Sequence, residues 1–231
     1  MRRIIRFMKI VCLSSGSCGN CYIVKDSCGN AVILDCGLKF KEITHHQEFP
    51  SFNKIDLLFV SHEHLDHSKS LREFKKTGCE IISYEILDAK IQNWSFENWD
   101  AFTFPIVHNS PNWGIVIKSN VDGEKLCYMT DFCKAPLVES CDHYIFEVNY
   151  INSVIEDKIN NGEDLKHLGF NNHHSLEDTI EYFEKIKTRP KSITCCHLSS
   201  VNAMEGTIRK QLEPFADKIN IAKKGEVYGN R

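Results

Sequence analysis

Four side chains of metal-ligand type fall within six residues, His62-Glu63-His64-Leu65-Asp66-His67, directly after the apolar run Ile55–Val60. Imidazole nitrogens and carboxylate oxygens are the donors a borderline divalent cation such as zinc prefers. A short apolar run of this kind reads as a buried strand. The chain must therefore fold so that a core strand ends at an open edge and delivers these ligands there. His62 and His64, two residues apart, face the same way if the strand persists. A turn after them lets Asp66 and His67 address a neighbouring position. Four ligands at this spacing would be strained around one ion, so two adjacent metals suit the segment better. The plain alternative is a solvated, His-rich turn; three of the 11 histidines with an aspartate in this order weigh against it.

Around that segment, strand-like runs at 9–13, 21–25, 31–35 and 55–60 fill the first third of the chain, with turn residues between them. Further runs at 80–84, 101–107, 114–118, 125–130, 143–148, 192–196 and 219–222 predict a strand-rich fold with interspersed helices. The clearest predicted helix spans 175–187, with Leu176, Ile180, Phe183 and Ile186 on one face, Ser175 as N-cap and Asp178 three residues on. A second helix is expected over 203–212. Many strands with helices among them predict an α/β layered domain. No linker, repeat or low-complexity stretch divides the chain, so residues 1–231 are expected to form one domain, with 1–7 as an extra or disordered N-terminal segment.

The His62–His67 segment matches in full the H-x-H-x-D-H signature of the metallo-β-lactamase superfamily, which the chain resembles over nearly its whole length. The family's other motifs follow in order. Asp35, in Leu34-Asp35-Cys36-Gly37, resembles the aspartate that supports the metal loop. His108, Asp131 (in Met129-Thr130-Asp131) and His197 resemble the remaining ligands. The resemblance implies a four-layer αββα sandwich, two mixed β-sheets packed face to face with helices outside and the site at one edge. It also implies two divalent metal ions, zinc foremost with manganese or iron as alternatives. One is held by His62, His64 and His108, the other by Asp66, His67 and His197, with Asp131 bridging.

Within the superfamily, Ser14-Ser15-Gly16-Ser17-Cys18-Gly19-Asn20 resembles the S-G-S-x-G-N opening of the small YycJ/WalJ-like branch of DNA-processing enzymes. Asn172-His173-His174-Ser175-Leu176-Glu177-Asp178 resembles that branch's G-H-L-S-x-E-D, with Asn172 where Gly is usual. Cys196-His197-Leu198-Ser199 resembles its closing H-L-S, and Phe146-Glu147-Val148-Asn149-Tyr150 matches its E-A-N-H segment in part. The 65 residues between Asp131 and His197 are too few for the clamp domain of the RNA-processing β-CASP relatives. The branch implies a phosphodiesterase, a nuclease acting through a metal-activated hydroxide on DNA ends or short single strands, with nucleic acid or a nucleotide phosphodiester as substrate. Asp66 and His173 are then the catalytic candidates, Asp66 orienting the attacking water and His173 protonating the leaving oxygen. Ser17, Asn20 and His173 are the candidate substrate contacts. The ligands alone would also serve a hydrolase of a thioester, lactone or β-lactam, or a metal-containing binding protein without catalysis.

Composition narrows the partners. With 28 Lys+Arg against 31 Asp+Glu the net charge is −3, which leaves no global field for gripping long duplex DNA. No apolar run approaches the ~20 residues of a membrane span, and the basic N-terminus lacks a cleavable leader pattern, so a soluble, cytoplasmic protein is expected. The eleven cysteines are odd in number, and several lie in strand-like runs, where a thiol acts as a small hydrophobe. Cys18-Gly19-Asn20-Cys21 lacks the second pair of a zinc knuckle. His45 and His46 read as surface residues, His143 and His167 as structural ones. The sequence leaves oligomeric state open.

Overall fold

The computed structural model describes residues 8–88, 90–163 and 172–229; the expected N-terminal segment 1–7 and His167 lie outside the described residues. One sheet contains β1 (Lys9–Ser14), β2 (Cys21–Lys25), β3 (Ala31–Leu34), β4 (Ile55–Val60), β5 (Ile81–Ser83) and the C-terminal β13 (Val227–Tyr228). Its order is β13-β1-β2-β3-β4-β5, antiparallel up to β3 and parallel from β3 to β5. The other sheet contains β6 (Gln92–Ser95), β7 (Trp99–Ile106), β8 (Asn112–Ser119), β9 (Lys125–Met129), β10 (His143–Glu147), β11 (Ser192–Cys196) and β12 (Lys218–Ile221). In it β6 to β9 are antiparallel and β9 to β12 parallel. Both sheets are mixed, as expected.

Strand alternation explains the layering. In β4, Leu57 and Phe59 face a core shared with Ile115, Ile117, Leu126, Tyr128 and Ile145 of the other sheet. Leu58 and Val60 point the opposite way, to a second core closed by Ile43, Leu71 and Phe74. Those three sit on the short helices α1 (Phe40–Thr44) and α3 (Leu71–Phe74). Because β4 is buried on both faces, it reads as a continuous apolar run rather than an alternating one. The outer face of the second sheet packs Tyr144, Phe146, Ile193 and Cys195 against Leu176, Phe183, Ile208 and Leu212. The last four belong to α5 (Leu176–Glu184) and α6 (Glu205–Leu212). The result is helix, sheet, sheet, helix.

The Ser175 cap forms: its hydroxyl accepts from the Asp178 amide at 3.0 Å and donates to the Asp178 carboxylate at 2.7 Å. The helix ends at Glu184, earlier than its apolar period suggested. Two more helices lie between these, α2 (Leu65–Ser68) and α4 (Asn152–Asn160). No helix among the described residues is long and apolar enough to cross a membrane. All eleven cysteines are free, and His143 is buried with its Nδ1 2.8 Å from the Ser192 hydroxyl.

Candidate metal centre

The strands that carry the candidate residues end at one edge. Asp35 follows β3, His62 follows β4, His108 follows β7, Asp131 follows β9, Glu147 closes β10 and His197 follows β11. Parallel strands deliver their carboxyl ends to the same side, where open α/β sheets usually bind ligands. Leaving those strands requires sharp turns. Four non-glycine residues among those described have clearly positive φ, and three of them are Asp35 (58°), Asp131 (52°) and His197 (51°). Left-handed backbone at such residues costs of order 1–3 kcal/mol each and gathers at functional sites.

Among the described residues the side chains converge in three groups that share the Asp131 carboxylate, the third being Asp131, Glu147, His173 and His197; the first two hold the residues named from the sequence. Ligand atoms of His62, His64, His108 and Asp131 lie within 4.8 Å of one another, as do those of Asp66, His67, Asp131 and His197. His62 Nε2 and His64 Nδ1 are 3.0 Å apart. That separation is compatible with one ion at the ~2.0–2.1 Å Zn–N distance. Asp131 Oδ2 faces His67 Nε2 at 3.4 Å and His62 Nε2 at 3.7 Å, while its Oδ1 faces His197 Nε2 at 3.3 Å. Asp66 Oδ2 lies 3.4 Å from His67 Nε2 and 3.7 Å from His197 Nε2. The structure thus brings together all seven residues named from the sequence.

The groups fit metal ions. His108 Nε2 is buried without a hydrogen-bond partner, a costly state for a polar atom unless something else binds it. The second nitrogen of several rings is already engaged, which leaves the first for an ion. His67 Nδ1 is 2.6 Å from Asp35 Oδ2, His62 Nδ1 is 3.0 Å from the Ser61 hydroxyl, and His108 Nδ1 is 3.1 Å from the Asn172 carbonyl. His197 Nδ1 is 3.2 Å from Asn149 Nδ2 and 3.4 Å from Glu147 Oε1. Asp35, fully buried, also accepts from the Ser61 amide at 2.8 Å and the Tyr128 hydroxyl at 2.5 Å. It anchors the ligand loop from beneath.

Electrostatics point the same way. Burial alone would lower the pKa of His67, but Asp131 and Asp35 raise it well above the usual histidine value. Burial likewise opposes charge on His197, yet Asp131, Asp66 and Glu147 push it up to about 10. Burial would raise Asp131; the charges of His197 and His67 hold it well below the usual carboxylate range. The edge is a nest of buried carboxylates that demands cations, and without metal the imidazoles supply them as protons. Uptake of metal must displace those protons. At pH 7.5, calorimetric titration of metal into metal-free protein in buffers of different ionisation enthalpy should therefore register release of about two protons per chain, from His67 and His197. Affinity should rise with pH. No proton release would show that those rings are not ligands.

Backbone packing holds the loop in place. Gly37 lies so close to α2 that a Cβ there would sit 1.6 Å from the Asp66 carbonyl oxygen. The Asn20 amide donates to that oxygen at 2.6 Å, and the Cys36 amide donates to the His67 carbonyl at 2.8 Å. Gly37→Ala should accordingly displace Asp66 and His67, destabilise the fold by at least ~1–3 kcal/mol, and weaken metal binding. Chemical denaturation with parallel metal analysis checks both, and a variant with unchanged stability and metal content would contradict the close approach.

The candidate substrate residues divide. Ser17 is exposed in the turn beside the site. Asn20 is fully buried; its Oδ1 accepts from the Gly16 amide at 2.8 Å and its Nδ2 lies 2.9 Å from His67 Nε2. It therefore braces the metal loop in this structure. His173 sits with its Nδ1 2.6 Å from Glu147 Oε1 and its ring stacked on His197 at 5.2 Å. Glu147 is completely buried, and its Oε2 accepts from the Phe132 amide at 2.9 Å. Sequence reasoning assigned no role to Glu147. A signal was present: like Asp131 and His197, it terminates an apolar strand in the parallel half of the sheet. The segment bearing His173 is fixed by the Asn149 amide donating to the His174 carbonyl at 2.9 Å and the Leu176 amide donating to Tyr150 at 2.8 Å.

This architecture, with ligands on the carboxyl ends of strands from both sheets, defines the metallo-β-lactamase fold. Residues 18–125 match the model of the metallo-beta-lactamase superfamily. The metallo-beta-lactamase fold protein YhfI from Bacillus subtilis is similar at 16% identity, with 97% of this chain and 100% of that chain covered and a TM-score of 0.69. The short form of human tRNase Z is similar at 14% identity, covering 95% and 98% with a TM-score of 0.62. A long form RNase Z from yeast is similar at 14% identity, covering 99% of this chain and 42% of that one, with a TM-score of 0.66. At such identities the likeness is one of fold. No curated protein matches the chain in sequence.

Proposed function

We propose that the protein is a binuclear metal-dependent phosphodiesterase, a nuclease acting on DNA ends or short single-stranded nucleic acid. The observation that carries this reading is the Glu147–His173 pair beside the two ligand groups, because a phosphodiester needs a proton for its alkoxide leaving group. That two of the similar structures are RNase Z proteins supports a nucleic-acid substrate.

In this reading His62, His64 and His108 would hold one ion and Asp66, His67 and His197 the other, with Asp131 shared between the two groups. Zinc is the expected metal, with manganese or iron as alternatives. Divalent ions bound there would supply Lewis-acid charge against the scissile phosphate and lower the pKa of water. Asp66, half-exposed at the edge, orients the attacking water. His173 donates to the leaving oxygen. Burial opposes its charge, but the hydrogen bond and charge of Glu147 raise its pKa above the ordinary value, which favours the protonated ring that a general acid needs. Ser17 contacts the substrate from the turn 15–18.

The test is a panel on metal-loaded protein: a DNA oligonucleotide, bis(p-nitrophenyl) phosphate and a thioester. Cleavage of both phosphodiesters is expected. Thioester hydrolysis alone would replace the proposal with acyl chemistry, and inactivity on all three would point to a binding protein.

A further inference from the structure

The third ligand group among the described residues, Asp131, Glu147, His173 and His197, has its ligand atoms within 4.8 Å of one another. Glu147 Oε1 is its hub, 2.6 Å from His173 Nδ1 and 3.4 Å from His197 Nδ1. The two rings stack at 5.2 Å with 17° between their planes, and both turn Nδ1 toward that one carboxylate oxygen. Glu147 is fully buried, and the Phe132 amide fixes its other oxygen at 2.9 Å. These side chains are held in place before anything binds. Ions can reach them, because His173 and His197 line a cavity of about 340 Å³ between the turn 15–18 and the loop after β11.

The donors suit a divalent ion. Carboxylate oxygen and imidazole nitrogen are zinc-type ligands, and 3.4 Å is a spacing that two ligands ~2.0–2.2 Å from one shared ion adopt. The 2.6 Å pair must open by roughly half an ångström to do the same. Such a site is nonetheless weaker than the other two. His197 Nε2 and Asp131 Oδ1 face each other at 3.3 Å within the second group, so an ion there already claims both residues. Glu147 and His173 then supply the main bonds, and the proton between them must be displaced. Charge on the neighbouring ions opposes a further cation as well.

We propose that Glu147 and His173, with Asp131 and His197 at the edge, form a third and weaker divalent-metal site whose filling switches off the cleavage of poor leaving groups. The proton between Glu147 and His173 passes to solvent when an ion takes its place. His173 then keeps a proton only on its other nitrogen, as a neutral imidazole, which is a far weaker acid than imidazolium. The two principal groups stay filled while the proton donor beside them is lost. The site itself stands on the geometry; its effect on turnover rests on the phosphodiesterase reading.

Equilibrium dialysis of metal-free protein against rising zinc should show two ions bound first and a third at a free concentration at least ~10-fold higher, as proton competition demands. His173→Ala should lose the third ion and keep the first two. Glu147→Gln, at a buried position, should lose the third ion likewise, whereas zinc on the free thiols would persist in both variants. In the unmodified protein, zinc that fills the third step should depress cleavage of a DNA oligonucleotide by at least ~10²-fold, the loss typical of a missing general acid. Hydrolysis of bis(p-nitrophenyl) phosphate should fall far less. Saturation at two ions, or a third ion that both variants retain, would overturn the site. Equal inhibition of the two substrates would overturn the switch. Should neither phosphodiester be hydrolysed, the phosphodiesterase reading fails by itself, and the dialysis still decides the site.

Discussion

His173→Ala is expected to lower kcat/KM on a DNA oligonucleotide by ~10²–10⁴-fold, the usual loss when a general acid is removed, and on bis(p-nitrophenyl) phosphate by far less. The asymmetry comes from the leaving groups. A nucleoside alkoxide departs only with a proton, whereas p-nitrophenolate is stable as an anion. Metal content should stay unchanged if the ions occupy the groups His62–His64–His108–Asp131 and Asp66–His67–Asp131–His197, whereas its loss would place an ion in the third group, Asp131–Glu147–His173–His197. Glu147→Gln supplies an independent reading. It keeps the shape of a fully buried side chain but removes the charge that raises the His173 pKa against the effect of burial. An acid must hold its proton to act, so the alkaline limb of the kcat/KM profile should move to lower pH in this variant. Equal losses on the two substrates, with no movement of the alkaline limb, would leave His173 a positioning residue and require another proton donor.

Much of this site could be read from the chain because its ligands cluster. His62, His64, Asp66 and His67 announce themselves as chemistry at one strand end, and burial of β4 on both faces makes that strand unmistakable. Glu147 was harder. It follows Tyr144, Ile145 and Phe146 and precedes Val148, so in sequence it is a single acidic residue in an apolar run. Only the parallel alignment of β9, β10 and β11 shows that Asp131, Glu147 and His197 are equivalent strand ends. Asn20 illustrates the opposite difficulty: a turn residue among serines and glycines looks solvent-facing, yet the close approach of Gly37 to α2 draws it under the metal loop. The edge strand β6, Gln92–Ser95, lacks apolar alternation and is set by pairing with β7, a long-range cause that local pattern does not contain. The short helices α1 and α3 are likewise fixed by the core they close rather than by helix periodicity.

Asp131 carries the second large effect. Its two oxygens face different histidines, Oδ2 toward His62 and His67 and Oδ1 toward His197, and it belongs to both ligand groups. The Asn112 side chain locks its turn by donating to the Thr130 and Asp131 carbonyls at 3.0 and 2.7 Å, so Asp131→Asn should keep the backbone while removing the shared charge. Unmodified protein is expected to bind two metal ions per chain, one for each group. The variant should retain one or fewer, and phosphodiester hydrolysis should fall by at least ~10²–10³-fold, as when one charge-stabilising group leaves an active site. Metal-free protein offers a readout independent of turnover. Because the folded-state pKa of His197 is raised to about 10 and that of His67 well above the usual histidine value, their charged forms stabilise the metal-free fold fully below about pH 6.5. That contribution fades as pH rises toward the folded-state values. Removing Asp131 removes a main cause of both elevations, so the decline in metal-free stability between pH 6 and pH 10 should flatten in Asp131→Asn. A variant that keeps two metals and full turnover would show that Asp131 does not join the two groups, and each ion would then have to be held by the remaining ligands of its own group.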